Sequence, residues 1–452
     1  MGEDVQAVDE QTAVARTGSE TRRLALAHIY DAAIDAVRGE SLIVAHSRLD
    51  GDNWVYQKDG RRIVWPLDSE GRVFAIGAGK AAASILAGLE TVLGDRLTGG
   101  CAIVKEGHHA PLEKISLFDA GHPIPDQAGA QATAHLLEFL KTLGPHDNVF
   151  VALTGGASAL MVAPADGLTL ADKAHVSDVL IASGANISEI NTVRKQLSKV
   201  KGGRLLDAIH PAGSMTLMIS DIPGNDPAMI GSGPTMPDSS TPEEAIAILE
   251  RYDVIDQMSP AILDALHRPA PRLAATDQDK HHHIVLADSQ TALGAAQEAA
   301  AREGYLVQVV DAHLDTDTHM AARQFAAAVR DAATGGGQPS VLLAAGETTL
   351  KVTGSGRGGR NQEFALVAAL ALDGVPNASL LASGTDGTDG PTDAAGAFVD
   401  GDTIARSHSA GLDAEAMLAN NDSNSFFARL GDLHVTGPTG TNVMDIIIGV
   451  VD

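Results

Sequence analysis

Two stretches of this chain repeat one succession, and that repetition limits what it can fold into. Arg72 to Ile76 is an apolar strand that runs into Gly77-Ala78-Gly79-Lys80-Ala81-Ala82 and an Ala-rich helix through Leu89. Asn148 to Leu153 is again apolar and buried in character, and it turns through Thr154-Gly155-Gly156-Ala157-Ser158-Ala159-Leu160 into another helix start. A strand that ends on glycines and becomes a helix at once is the building unit of a parallel sheet, so the chain is expected to be α/β. Each turn also brings unpaired amides and the positive end of a helix dipole to one point, which makes it a candidate anion site. Lys80 adds a full charge to the first, and the Ser158 hydroxyl adds a donor to the second. The first turn is not a Walker A loop, because the four-residue gap between glycines and the Ser/Thr after Lys are missing. It does approximate G-x-G-x-x-A, which keeps a nicotinamide-dependent enzyme as a rival reading.

At 452 residues the chain is too long for one ordinary core, so two domains are expected. Hydrophobic residues make up 44% and aromatics only 3%, a mix rich in small side chains that suits helices packed closely on strands. A formal net charge of −26 argues against nucleic acid and anionic membrane as partners, and a phosphorylated ligand would have to be captured by a local basic cluster. The acidity suits solubility in high salt and equally suits ordinary surface solvation. Cys101 is the only cysteine, set among apolar neighbours as a buried strand thiol, so neither a disulfide frame nor a cysteine metal site is expected. No apolar run is long enough to span a bilayer and the N-terminus is acidic and polar, which points to a cytoplasmic protein with a frayed tail up to about Ser19. Thr21 to Val37 follows with helical apolar spacing and reads as scaffold.

Clustered cations are informative in so acidic a chain. Asn191 to Arg204 collects Arg194, Lys195, Lys199, Lys201 and Arg204, with Lys195 and Lys199 four apart on one expected helix face. Beyond it, the strand Met215 to Ile219 leads to Ser220-Asp221, a carboxylate at a strand end where α/β enzymes hold hydroxyls or Mg²⁺. His108, His109 and His122 lie in GHHAP and GHPIPD without the partners of a zinc site, so these loops are expected to shape the neighbourhood of the cleft. From Pro237 to Lys280 the composition shifts, and HRPAPRLAATDQDK reads as an interdomain linker. The α/β pattern restarts at His281 to Asp288 and reaches Gly346-Glu347-Thr348-Thr349 after the strand Ser340 to Ala344. VTGSGRGGRNQEFAL (Val352 to Leu366) then sets Gly354, Gly356, Arg357, Gly358, Gly359 and Arg360 before a helix, a further candidate anion cradle. Finally Asp386, Asp389 and Asp393 sit in SGTDGTDGPTD, where two or three carboxylates could hold a Mg²⁺ that bridges phosphate oxygens.

Taken in order, VFAIGAGKAA, LTGGASAL, NTVRKQLSKVKGGRL, SDIPGNDPAMIGSGPT, GETTLKVTGSGRGGRNQEFAL, SGTDGTDGPTDAAGA and TGPTGTNVMDI resemble the glycerate 2-kinases that join an N-terminal Rossmann-like domain to a C-terminal MOFRL domain. The resemblance covers the chain from about Thr21 to its end. It implies a doubly wound N-terminal sheet over residues 20–270, a C-terminal α/β domain over 281–452, and an active cleft between them. It also implies ATP-dependent phosphorylation of D-glycerate at its 2-hydroxyl with Mg²⁺, Lys80 and Arg360 corresponding to the family's catalytic lysine and arginine. On this reading Gly77, Gly79, Gly155, Gly156, Ser158, Asn191, Arg194, Lys195, Asp221, Glu347, Thr348, Arg357 and Asn361 bind nucleotide or substrate. Asp386 and Asp389 are the expected metal ligands. A homodimer is left open. Two other readings stand beside this one: an NAD(P)H-dependent hydroxypyruvate reductase, for which Glu106 follows the second strand as a ribose partner, and a non-catalytic protein that binds a sugar acid or nucleotide.

Overall fold

The computed structural model describes residues 3–268 and 280–452, with side chains from Gly18 onward. It opens on helix α1 (Glu3–Val37), so the stretch expected to fray up to about Ser19 has helical backbone. Between Gly2 and Gly18 there is neither glycine nor proline to interrupt it. The chain divides into two compact units, one formed by Arg38–Leu286 and the other by Met1–Val37 with Ala287–Asp452.

The Arg38–Leu286 unit carries a small antiparallel sheet of Ser47–Asp50, Asn53–Lys58 and Arg61–Pro66 and one large sheet. The large sheet contains β1 (Val73–Ala78), β2 (Leu97–Lys105), β3 (Ile115–Ala120), β4 (Asn148–Leu153), β5 (Gly213–Ile219) and β6 (His281–Ala287), in the order β3-β2-β1-β4-β5-β6. The neighbours from β3 to β5 pair in parallel. Every residue of β1 and β4 is buried, as the central strands of a sheet covered on both faces must be. Ala78 stands opposite Leu153, and Leu153 opposite Met218, so the turns after β1, β4 and β5 leave the sheet at one edge. The strand order reverses between β1 and β4, the point at which open parallel sheets place their ligands. Helix α2 (Ala82–Leu93) follows β1, the four-residue α3 (Ala157–Leu160) follows β4, and α4 (Ile187–Gln196) carries the first cations of the basic stretch. Because α4 stops at Gln196, Lys199 lies beyond it and does not share a helix face with Lys195.

The boundary between the units differs from expectation. The strand that was to open a second domain at His281 extends the first unit's sheet beside β5, with Ser214 Oγ and His281 Nδ1 2.8 Å apart and Ile284 and Leu286 buried. An outer strand covers the otherwise open ladder of β5. Most of the expected linker HRPAPRLAATDQDK, residues 269–279, falls outside the described residues.

The second unit is also mixed α/β. Its helices include α5 (Ser289–Arg302), α6 (Thr318–Thr334) and α7 (Arg360–Leu372). Its strands are β7 (Leu306–Leu314), β8 (Ser340–Gly346), β9 (Ala378–Gly384), β10 (Gly396–Asp400), β11 (Leu433–His434) and β12 (Asp445–Val451), in the order β7-β8-β12-β9-β10-β11. Only β7 and β8 pair in parallel, because the last strand of the chain inserts antiparallel between β8 and β9. Helix α1 belongs here and not with the first unit, where its expected start near residue 20 had placed it. Its buried stripe of Leu26, Ile29, Tyr30, Ala33, Ile34 and Val37 follows helical spacing. Tyr30 Oη donates to Gly384 O at 2.8 Å, and Arg22 pairs with Asp452 at 2.9 Å. Helix α7 is buried from Asn361 to Ala369, so the polar residues of its first turn must find partners inside the protein.

Candidate active site

At the point of strand reversal, the β1 and β4 turns are bonded to each other. Gly79 N donates to Ile103 O at 3.2 Å, Lys80 N to Gly155 O at 2.9 Å and Ala81 N to Thr154 Oγ1 at 3.0 Å. Gly79 has φ +128°, and a Cβ there would lie 2.1 Å from Thr154 Oγ1, so the glycine lets two turns close on each other. A Cβ on Gly77 would likewise press on Ala152 and Ala82. These three amides are therefore bonded within the protein and are not presented to a ligand. The side chains are what remains for binding. A Cβ on Gly156, at φ +87°, would fall 3.1 Å from the His122 ring and 3.5 Å from Lys80 Cγ, so the lysine and histidine both lie against that glycine. His108 Nδ1 stands 3.2 Å from Lys80 O. Asp221 follows β5 at the same sheet edge, half-buried.

Beside this turn lies a second constellation. Lys201, 1% exposed, donates from Nζ to Ser158 O at 2.6 Å and to Ser158 Oγ at 2.8 Å. Arg194 Nη2 reaches Ser158 Oγ at 3.5 Å, Ser158 Oγ and Ser232 Oγ are 3.0 Å apart, and Ser232 Oγ donates to Asn191 Oδ1 at 3.5 Å. Burial, reinforced by Lys173 and Arg194, pulls the Lys201 ammonium well below the usual lysine range. Burial likewise brings Lys173 down to about 7, with Arg194 and Arg204 adding repulsion. The remaining cations of the stretch are committed elsewhere. Lys195 pairs with the buried Asp238 at 3.3 Å, Lys199 pairs with Asp166, and Arg204 donates to Lys195 O, Lys201 O and Gln196 Oε1. The structure thus separates Arg194 and Lys201 from the expected ligand-holder Lys195.

The glycine and arginine loop of the second unit is built differently from the expected cradle. Thr353 N and Gly354 N each donate to Asn421 Oδ1 at 2.8 Å, Gly356 N to Asn420 O at 2.9 Å and Arg357 N to Asp422 Oδ1 at 3.0 Å. Cβ atoms on Gly354 and Gly358 would come within 2.2 Å of Asn420 O and Ser423 Oγ. The glycines let the loop lie flat on residues 420–423, and these amides go to that contact. Arg357 is exposed, with Nη2 3.4 Å from Pro391 O. Arg360 is clamped: Nε and Nη2 donate to the two Asp445 oxygens at 2.5 and 2.9 Å, and Nη1 pairs with Glu347 at 2.6 Å. Burial would lower this guanidinium's pKa, but Asp445, then Glu347 and Asp389, hold it above its ordinary value. Thr348 is buried and accepts from Thr318 Oγ1 at 2.9 Å, and Asn361 Nδ2 donates at 2.9 Å to Asp445, the partner of Arg360.

The expected metal ligands do not fit a divalent ion. Asp389, almost wholly buried, accepts from Asn361 N at 3.1 Å and from Gln362 N and Nε2 at 2.9 and 3.0 Å. Those contacts make it the anionic cap of α7. Burial pushes its carboxyl up to about 6 against the pull of those hydrogen bonds. Asp386 Oδ1 accepts from Thr388 N and Oγ1 at 2.9 and 3.1 Å. Among the described residues no three His, Cys, Asp or Glu side chains group as ligands for an ion. Nor is any described helix long and apolar enough to cross a membrane. Cys101 is buried in β2, its thiol pushed up to about 12 by burial, in keeping with a structural thiol.

Comparison with known proteins adds the family. Residues 25–267 match a domain family described as of unknown function (DUF4147), and residues 340–445 match the MOFRL family. A D-glycerate 2-kinase of Thermotoga maritima is 38% identical over 384 residues, 84% of this chain and 91% of that protein. A protein of Agrobacterium vitis with the provisional name hydroxypyruvate reductase is 41% identical over 83% of this chain and 98% of its own length. The crystal structure of glycerate kinase from Thermotoga maritima superposes with a TM-score of 0.82 at 34% identity, covering 96% of this chain and all of that one. The chain belongs to the MOFRL-domain glycerate kinase family. Of the two residues in the expected catalytic motifs, Lys80 lies against Gly156 and Arg360 between Asp445 and Glu347. Three residues lie within the quoted segments but were given no role there, and the structure bonds them to expected site residues: Lys201 and Ser232 to Ser158, and Asp445 to Arg360. Lys201 was visible only as one of five cations, since nothing in the spacing distinguishes a buried lysine from a surface one. Ser232 could have been suspected from its place between two glycines in Gly231-Ser232-Gly233.

Proposed function

We propose that the protein is a glycerate 2-kinase, moving the terminal phosphoryl group of ATP to the 2-hydroxyl of D-glycerate and releasing ADP and 2-phosphoglycerate. The observation that carries this reading is the gathering of Lys80, Arg194 and Lys201 around the turns after β1 and β4, in a chain with a net charge of −26. Phosphoryl transfer asks for position and positive charge rather than covalent help from the protein. In this reading Lys80 meets the oxygens of the moving phosphoryl group, and Arg360, held in one orientation by Asp445, is the second catalytic cation. Asp221 orients the attacking hydroxyl. Magnesium belongs to the reading as the usual companion of ATP, although Asp386 and Asp389, taken up by hydrogen bonds within the protein, do not fit it. The same reading takes the first unit as Rossmann-like and the setting as cytoplasmic, and leaves a homodimer open.

One observation favours the reductase reading. Glu106 directly follows β2 and, together with His122, lines a cavity of 270 Å³. That is the place a ribose partner would occupy. Against it, the Gly79, Lys80 and Ala81 amides that a dinucleotide's pyrophosphate would need are already bonded to Ile103, Gly155 and Thr154. The deciding experiment supplies the purified protein with ATP and D-glycerate, follows ADP, and separates 2-phosphoglycerate from 3-phosphoglycerate. A parallel arm follows NADH absorbance with hydroxypyruvate. Formation of 2-phosphoglycerate supports the kinase, whereas NADH oxidation without ADP release overturns it.

A further inference from the structure

Arg194, Lys201 and Lys173 share a property that Lys195 and Lys199 of the basic stretch lack. Among the described residues none of the three has a carboxylate partner, while Lys195 and Lys199 each do. Taking a cation out of water without a counter-ion is costly, so such a group either gives up its proton or gains an anionic partner, and the three together make this a candidate anion site. The neighbouring backbone supports the same conclusion. Ser232 holds φ 66°, on the positive, left-handed side. That conformation is unusual for a residue with a side chain. It is fixed there by Gly202 N donating to Ser232 O at 3.1 Å and Gly203 N to Gly233 O at 2.8 Å, contacts that also tie its loop to Lys201.

We propose that Arg194, Lys201, Ser158 and Ser232 form the seat of the substrate's carboxylate, with Asn191 beside them reading an adjacent hydroxyl. The inference rests on the kinase reading and extends it by assigning this site to the hydroxy acid rather than to the nucleotide. Two features favour the acid. Lys201, Ser232 and Asn191 are 1%, 3% and 7% exposed, a depth that suits a three-carbon ligand better than a triphosphate. The polar groups are also mixed: the two serines both donate and accept, and Asn191 Oδ1 faces Ser232 as an acceptor. A phosphate chain offers acceptors alone, whereas a hydroxy acid brings a carboxylate for the cations and a hydroxyl that can donate to Asn191. Arrival of the carboxylate favours the charged form of Lys201, which Ser158, Arg194 and the more distant Lys173 surround, so substrate binding takes up a proton.

The test uses the full chain with Lys201→Met, Arg194→Met and Ser232→Ala, the last removing one hydroxyl while leaving every charge in place. Calorimetric titration with D-glycerate alone and with ATP alone reads the two ligands separately, and steady-state kinetics gives KM for each. Glycerate affinity is expected to fall about a hundredfold in the two methionine variants and about tenfold in Ser232→Ala. ATP affinity should stay within about threefold. Titrations in buffers of different ionisation heat should show proton uptake with glycerate in the parent and none in Lys201→Met. Equal losses for ATP and glycerate, or undiminished glycerate affinity in Lys201→Met and Ser232→Ala, overturn the assignment. The two readings fail separately. A parent that releases ADP while all variants keep their glycerate KM retains the kinase and loses the seat. A parent that binds glycerate through Lys201 yet never releases ADP retains the seat and loses the kinase.

Discussion

Around Ser158 the first unit gathers Arg194 and Lys201 with hydroxyls and amides, and no carboxylate of the described residues answers them. Around Arg360 the second unit does the reverse, surrounding one guanidinium with Asp445, Glu347 and, a little further off, Asp389. Both regions follow glycine-rich turns, and in both the glycines let one segment of chain close on another. The difference lies in what the cations await. A buried basic group without a counter-ion is poised to receive an anion, and at Lys201 the arriving anion favours the charged form of the amine. A guanidinium held by two carboxylates is fixed in direction, and what it offers an anion depends on that orientation as well as on its charge.

The contrast breaks most sharply at the two family positions. Lys80→Ala and Arg360→Ala should each lower kcat about a thousandfold, the usual effect of removing one preorganised charge from a transition state. Only the second should also unfold more readily. Removing the guanidinium leaves Asp445, with its side chain 4% exposed, buried without its partner. Urea unfolding should register a loss of about 3 kcal/mol for that variant. Lys80→Ala should remain within about 1 kcal/mol of the parent. Equal stability of the two variants would mean that the Asp445 clamp holds nothing in place.

Much of the first unit could be read in advance, because strand, glycine turn and helix follow one another along the sequence at Val73–Leu93 and again at Asn148–Leu160. Local order of this kind is a property of consecutive residues. What escaped depended on residues far apart in the chain. The glycine loop lies on Asn420 to Ser423, Asp389 caps α7 instead of holding an ion, and Asp445 grips Arg360. The pairs that decide these outcomes, Gly354 with Asn421, Asn361 with Asp389 and Arg360 with Asp445, are 67, 28 and 85 positions apart. Contacts of that separation leave no periodic trace in either partner's neighbourhood. The same limit explains β6 and α1. Each was correctly expected as an element, yet its side of the boundary is decided by which apolar face it covers, and a stripe such as Leu26, Ile29, Tyr30 and Ala33 does not name its partner.

A smaller effect sharpens the second half of the comparison. The Asp389 carboxyl, raised from 3.8 to about 6 by burial, binds more protons in the folded chain than in the unfolded chain between those two values. Stability from this group is therefore fully present below about pH 4 and declines as the pH rises through about 6, opposite in sign to an ordinary paired carboxylate. Relative to Asp389→Asn, the parent should lose about 3 kcal/mol between about pH 4 and 7, since each unit of pKa difference is worth about 1.4 kcal/mol. Urea titrations of both proteins across that range supply the measurement. A parent that instead gains stability over Asp389→Asn as pH rises would show that the amides of α7, and not burial, govern the carboxyl.

The smallest expected change tests whether Arg360 is limited by direction or by charge. The side chains of Arg360 and Glu347 are 32% and 47% exposed. Their pair is therefore screened by water and contributes at most about 1 kcal/mol. Asp445, which holds Nε and Nη2 at once, keeps the guanidinium oriented without Glu347. Glu347→Gln should therefore leave stability and kcat nearly unchanged. With one carboxylate fewer to compete for it, the arginine should attract ATP slightly better, lowering the KM for ATP about threefold. A fall in kcat approaching that of Arg360→Ala would place Glu347 in the chemistry itself. The two units would then differ less than their charges suggest, since each would depend on a group that acts directly on the reacting atoms.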